Sequence, residues 1–294
     1  MSIAVVFGTW GAAQPAYSQA LAPHILTLDS NYLTDQGLNL AQEAAQLAQF
    51  QQFELALPKA QLATQLVPDN SQVWLLLGNL YRQVGDVESS IDALQQSRSL
   101  EPSNASILFA LGSSYLLQDQ YSEAIEYLQA GLRIEPDVPG ALFDLGNAYY
   151  MAGQYEAAIV EYEEAIIGIY FNSQRYEEAI ALDAEFWPAV NNIGLVLYEQ
   201  GDDAGALDYW QAAVDIDEMQ AEPQLAIAIV LYEQGQEAQG LALGEAALRL
   251  DQRYADLEFL RRNLWGDRLL EDAQAFLSLP QMRQTISSLT GATF

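Results

Sequence analysis

The 294-residue sequence contains no cysteine, one histidine and only 11 lysines and arginines together. Without cysteine there is no disulfide, no thiolate metal site and no cysteine nucleophile, although the redox compartment stays open. The lone histidine, His24, would have to serve any serine–histidine chemistry, and no nucleophile stands at a recognisable spacing from it. Neither common phosphate-cradling glycine loop is present, nor the paired-histidine helix of zinc hydrolases. Against the 11 bases stand 40 acids, a formal charge of −29. So acidic a body repels phosphate backbones and anionic membrane surfaces, which argues against nucleic acid as a partner. Carboxylates are so abundant that Glu163 with Glu164, or Asp202 with Asp203, reads as a solvated helix face or turn rather than an acid–base couple. Asp29, Ser30, Asn31 and Asp35 supply too few ligands for a calcium loop. The expectation is a non-enzyme with no catalytic residue, no cofactor, no metal and no small-molecule substrate.

Long apolar runs are also missing. Ile3 to Phe7 and Trp10 to Ala13 are apolar, but the run is too short and broken to span a bilayer. Ser18-Gln19-Ala20 has the small-x-small form of a processing site, yet no lysine or arginine precedes Lys59 to supply a basic leader. Residues 1–36 are therefore expected to be either the remnant of an export signal or anchor, or a frayed or surface-packed segment. The first would place the protein in a bacterial envelope, periplasmic or thylakoid-associated; the second would leave it in the cytoplasm. Membrane association would run only through this segment or through a partner.

What is present is a core and a rhythm. Hydrophobic residues make up 51% of the chain, ample for a buried interior. Gly78, Gly112 and Gly146 recur every 34 residues, and so do Tyr81, Tyr115 and Tyr149. The frame extends to six units: 37–70, 71–104, 105–138, 139–172, 187–220 and 221–254. Each unit carries two helical apolar patterns divided by a breaker such as Gly85-Asp86, Gly153-Gln154, Gly201-Asp202 or Gly235-Gln236. Units end in turns such as Val67-Pro68-Asp69-Asn70 and Leu100-Glu101-Pro102-Ser103-Asn104, where proline stops one helix and Asn caps the next. Small residues at the eighth position of a unit (Gly78, Gly112, Gly146, Gly194) and the twentieth (Ala56, Ser90, Ala124, Ala158) allow close approach of the paired helices. Large ones at the twenty-fourth (Leu94, Leu128, Tyr162, Trp210) fill the space beside them.

Trp74-Leu75-Leu76-Leu77-Gly78 followed by Tyr81 and Pro102, and Leu142-Phe143-Asp144-Leu145-Gly146-Asn147-Ala148-Tyr149 followed by Gly153-Gln154-Tyr155 and Ala158, resemble the tetratricopeptide repeat, TPR. The resemblance covers about three quarters of the chain, which as a whole resembles TPR proteins of cyanobacteria. It implies an all-α, right-handed α-solenoid of stacked helical hairpins, in which no hairpin buries its apolar face alone.

The frame departs from this pattern in places. The first unit reads Leu40, Ala44 and Leu47 in place of the usual signature, and the unit from Trp187 has Glu218 where others have proline. Near 167–180 a 14-residue insertion duplicates Tyr162-Glu163-Glu164-Ala165-Ile166 as Tyr176-Glu177-Glu178-Ala179-Ile180. At about 3.9 helical turns it would keep a lengthened helix in phase, whereas Gly168 and Phe171-Asn172-Ser173 favour a protruding, helix-rich bulge. Residues 255–294 read as short amphipathic helices forming a C-terminal cap. Residues 249–294 hold six arginines against six acids, so the net charge lies upstream. A second reading makes Arg261, Arg262 and Arg268 an anion or partner site.

The TPR resemblance implies that first helices line a concave groove. The second unit would present Leu75, Asn79 and Arg82; the third, Phe109, Ser113 and Leu116; the fourth, Phe143, Asn147 and Tyr150. The fifth would add Asn191, Leu195 and Tyr198, and the sixth Leu225, Ile229 and Tyr232. Apolar anchors beside amides suit a partner peptide or helix. Arg82 is the lone groove arginine, which disfavours the carboxylate clamp of chaperone-binding relatives. The expected role is a scaffold or adaptor binding another protein, in assembly of an envelope or photosynthetic-membrane complex. The alternative is a structural module contacting partners through the convex face, the insertion or the cap.

Overall fold

A computed structural model describes residues 30–173 and 187–290, and every element among them is helical. Six antiparallel hairpins follow one another. They are α1 (Ser30–Gln49) with α2 (Phe53–Leu66), α3 (Ser71–Gln83) with α4 (Val87–Leu100), and α5 (Ala105–Leu116) with α6 (Tyr121–Leu132). Then come α7 (Pro139–Met151) with α8 (Tyr155–Ser173), α9 (Trp187–Glu199) with α10 (Asp203–Ile216), and α11 (Ala221–Glu233) with α12 (Glu237–Leu250).

Local chemistry sets the helix ends. The side chains of Asn70, Asp86, Asn104 and Asp202 accept from backbone N–H groups of the turn that follows, satisfying donors that a helix start leaves free. Pro139 sits in the first turn of α7, where its missing N–H costs nothing. At the fifteenth position of each unit the chain reverses through a left-handed residue. Gly85, Gly153, Gly201 and Gly235 take that conformation, with Gln51 and Asp119 at φ 57° and 58° in the first and third units.

Packing explains the period. A Cβ built on Gly78 would lie 2.6 Å from Leu94 Cγ, and on Gly112 it would lie 2.5 Å from Leu128 Cγ. On Gly146 and Gly194 it would meet the rings of Tyr162 and Trp210 at 2.6 and 2.5 Å. The eighth position is thus a socket for the buried twenty-fourth side chain of its own hairpin. Gly240, at the twentieth position, is where backbone meets backbone, its missing Cβ falling 2.6 Å from Ala228 O. Between units, the amides of Gln61, Gln95 and Gln129 donate to the hydroxyls of Tyr81, Tyr115 and Tyr149 at 2.9, 3.3 and 2.6 Å, one polar tie repeated at each of three junctions.

α1 begins at Ser30, ahead of the frame's start at 37, and α8 runs without a break through Gly168 to Ser173. The rest of the insertion, the N-terminal processing-like segment and His24 lie outside the described residues. After α12 come a 3-10 turn (Gln252–Ala255), α13 (Leu257–Arg262), α14 (Asp267–Leu277) and α15 (Pro280–Thr290). α15 lies on α12 and closes the end of the stack, whereas α14 folds back against α9 and α11, the first helices of the last two units. Among the described residues no helix is long and apolar enough to cross a membrane.

Candidate interaction surface

The row of first helices forms the inner wall of the solenoid, and the C-terminal segment divides it. Over α9 and α11 the wall is covered. The Trp265 indole Nε1 donates to Glu222 Oε1 and the Tyr254 hydroxyl to Glu222 Oε2, each at 3.1 Å. Glu199 receives the backbone N–H groups of Arg268 and Leu269 at 3.3 and 3.1 Å, so a groove carboxylate caps the start of α14. Gly266 is needed there, because a Cβ would run into the Glu199 carboxyl. The Arg268 guanidinium donates to Asp203 at 2.6 Å and to the Tyr198 carbonyl at 2.5 Å, and lies 3.9 Å over the Tyr198 ring. Tyr198 in turn donates to Asp272 at 2.6 Å. Leu269, Leu270, Ala273 and Phe276 are buried beneath these ties.

Over α3, α5 and α7 the wall is open. A cavity of about 830 Å³ lies between these helices and α13, walled by Arg82, Ser113, Leu116, Phe143, Asp144 and Asn147 on the repeat side and by Arg262 and Leu264 on the cap side. The Ser113 hydroxyl donates to Asp144, whose carboxyl is pushed above the ordinary range by burial while that hydroxyl and the Arg82 charge oppose the shift. Arg82 donates from Nη2 to Asn79 at 3.3 Å, and its Nε is buried with no acceptor. At the cavity floor the buried Tyr162 hydroxyl and the Asn192 amide both donate to Asn147 Oδ1, at 2.7 and 3.1 Å. Glu222 forms the far wall. Burial lifts its pKa to about 7, against the lowering effect of the Trp265, Tyr254 and Asn191 hydrogen bonds.

The sequence-derived groove set separates accordingly. Arg82, Ser113, Leu116, Phe143 and Asn147 share the open cavity, and Asn79 accepts from Arg82. Leu75 and Phe109 are half-buried and turn into the packing between units instead. Tyr150, Asn191, Leu195, Tyr198, Leu225 and Ile229 are no more than 5% exposed, and Tyr232 packs edge-on against Phe276. These last are corrections, because helices at the end of the chain occupy the surface those side chains were expected to offer. Arg268 is likewise committed to Asp203 and Tyr198 rather than free for an anion. Sequence reasoning offered Arg261 and Arg262 as a separate partner site and missed that the cap folds back onto the groove. The signal for it was the uninterrupted apolar stretch Leu225 to Leu231, which marks a helix covered on more than one side.

Comparison with known proteins agrees with the fold. Residues 27–176 match the family described as the cytochrome c-type biogenesis protein H TPR domain, and residues 173–221 match a tetratricopeptide repeat family. No curated protein matches the sequence. Among solved structures, PilW, a type IV pilus biogenesis factor, aligns with a TM-score of 0.60 at 20% identity over 80% of this chain and 98% of its own. The APC/C hetero-tetramer Cut9-Hcn1 aligns at 0.63 with 16% identity over 80% of this chain, which spans 45% of that one. MamA from Desulfovibrio magneticus RS-1 aligns at 0.53 with 18% identity over 63% of this chain and 97% of its own. At such identities these structures share a fold and no more. The family match spans just over half of the sequence, and the chain belongs to the TPR family of the cytochrome c-type biogenesis protein H TPR domain.

Proposed function

We propose that this chain is a non-catalytic protein-interaction scaffold that holds a polypeptide segment on the open inner face of α3, α5 and α7. The observation that carries this reading is the divided wall: one half is filled by the chain's own helices, and the other keeps a cavity of about 830 Å³ with apolar and amide side chains together. That size and mixture suit a bound segment, whose apolar residues would meet Leu116 and Phe143 while Asn147 serves its backbone. The matched family is named for cytochrome c-type biogenesis. On that name, and on the export-like N-terminal residues, rests the finer reading that the partner belongs to assembly of an envelope or photosynthetic-membrane complex.

A photo-crosslinking amino acid tests the surface directly. Leu117 lies on the cavity wall and is 57% exposed, whereas Val160, on the second helix of its hairpin, is 50% exposed outside it. In native cells a probe at 117 should capture a partner that a probe at 160 does not, and Phe143→Ala should reduce the capture. Capture from 160 alone would favour a structural module using its outer face.

A further inference from the structure

Every carboxylate facing the open cavity already has a donor from within the chain. Asp119 receives the Tyr121 hydroxyl at 3.0 Å, Asp144 the Ser113 hydroxyl, and Glu258 the Arg261 guanidinium at 3.4 Å. Glu222 receives Tyr254 and Trp265. The cations are not matched in the same way. Arg82 uses one N–H on a long bond to Asn79 and keeps a buried Nε without an acceptor. Arg262, on the opposite wall, makes no ion pair or hydrogen bond with any described residue. A buried donor such as Arg82 Nε is rarely left unmatched in a folded protein, and the exposed, unpaired Arg262 shares its cavity, to which three of the chain's 11 basic residues contribute although the chain carries a charge of −29. The cavity is short of an acceptor rather than of a donor.

Resting on the scaffold reading above, we propose that the cap completes the binding site: Arg82 from the repeats and Arg262 from α13 together receive an aspartate or glutamate side chain of the partner segment. The neighbouring Leu116, Phe143 and Leu264 take a large apolar residue beside it. The cavity, at about 830 Å³, has room for more than one residue, and the acceptor is assigned to a side chain within the segment rather than to its end. Neither half suffices alone, because the repeats bring only Arg82 to the groove and the cap brings Arg262 without the apolar floor. The acidic surroundings act as a filter. A carboxylate is held off everywhere except where these two guanidinium groups offset the repulsion.

The test uses the full-length protein labelled with nitrogen-15 and three synthetic probes. The first is a doubly blocked hexapeptide of leucine and alanine around one glutamate. The second has glutamine in place of that glutamate, and the third is the glutamine peptide with a free C-terminal carboxylate. The glutamate peptide should bind about fivefold more tightly than the blocked glutamine peptide and shift the Nε–H signals of both Arg82 and Arg262. Arg262→Gln, a change at an exposed residue, should abolish that preference without altering the spectrum of α9 to α12. Equal affinities with shifts in α5 and α7 would leave the scaffold reading standing and remove the carboxylate from it. A preference shown only by the free terminus would overturn the side-chain assignment. Absence of any shift in α5 or α7 would remove both.

Discussion

Glu222 is a carboxyl without a cation, buried between α11 and the C-terminal segment and held by neutral donors. Its folded pKa is raised to about 7 from an ordinary 4.5, so between those values the folded chain keeps a proton that the unfolded chain releases. The stability it contributes is therefore complete below about pH 4.5 and is lost as pH rises to about 7, opposite to the trend of a salt-bridged carboxylate. Glu222→Gln keeps the shape and removes the titration. Urea unfolding of both proteins from pH 4.5 to 8 should show the variant gaining on the wild type across that window by on the order of 3 kcal/mol, with a constant gap above it. A gap that does not change with pH would mean that Glu222 stays ionised throughout. Gly146 supplies a second test at this scale. Its missing Cβ leaves room for the ring of Tyr162, which is fully buried and tied to Asn147, so the ring has nowhere to move. Gly146→Ala should cost about 1–3 kcal/mol in thermal or urea unfolding, whereas Gly140→Ala, with nothing within 4 Å of its Cβ, should be neutral or slightly stabilising.

The hairpin turns share one backbone requirement but not one residue. Four of the six use glycine at the left-handed position, and Gln51 and Asp119 carry a side chain there against steric preference. Gln51→Gly should raise stability by about 1 kcal/mol and Gly235→Ala lower it by a similar amount, measured by thermal unfolding. Asp119→Gly should gain less, because Asp119 also accepts from the Tyr121 hydroxyl. These turns show why the hairpins were legible in the sequence: breakers and caps such as Gly85, Asn70 and Asn104 act locally, so their chemistry can be read without knowing what packs where. The inter-unit ties from Gln61, Gln95 and Gln129 to Tyr81, Tyr115 and Tyr149 recur at the same spacing, but a polar residue on a helix face gives no sign of its partner until the stack exists. α13 and α14 were legible as helices for the same local reason. Their destination was not, since an amphipathic pattern states that one face is buried and leaves open whether α12 or the inner wall buries it. Half of the expected groove was lost at that step. The positions of Leu116, Phe143 and Asn147 followed from the repeat alone, whereas Tyr198 and Leu225 depended on where α14 would lie.

Across the whole molecule the apolar interior is uneven in a way the repeat pattern does not suggest. From Tyr150 to Met282 the buried residues form one continuous cluster, in which Trp265, Leu269 and Phe276 of the C-terminal segment join Leu195, Leu225 and Ile229 of the last two units. Toward the N-terminus the core consists of separate smaller clusters, around Leu77 and Leu80, around Leu94 and Leu111, and around Leu128 and Leu145. In a stacked array, stability is roughly the sum of unit and neighbour terms, so a segment bridging α9, α11 and α12 ties those units into one block. Hydrogen exchange should then show α9 to α14 opening together with the highest protection, while α1 to α4 open at lower free energy and independently. Arg268→Ala, which removes the contacts to Asp203 and the Tyr198 carbonyl, should lower protection in α9 and α14 together and leave α3 to α6 unchanged. Uniform protection along the array, or loss confined to α14, would show that the C-terminal segment is an attachment rather than part of the core. A coupled loss would mean that the open half of the groove stands beside a rigid block, with its α13 wall, including Arg262 and Leu264, held in place by the same contacts that close the other half.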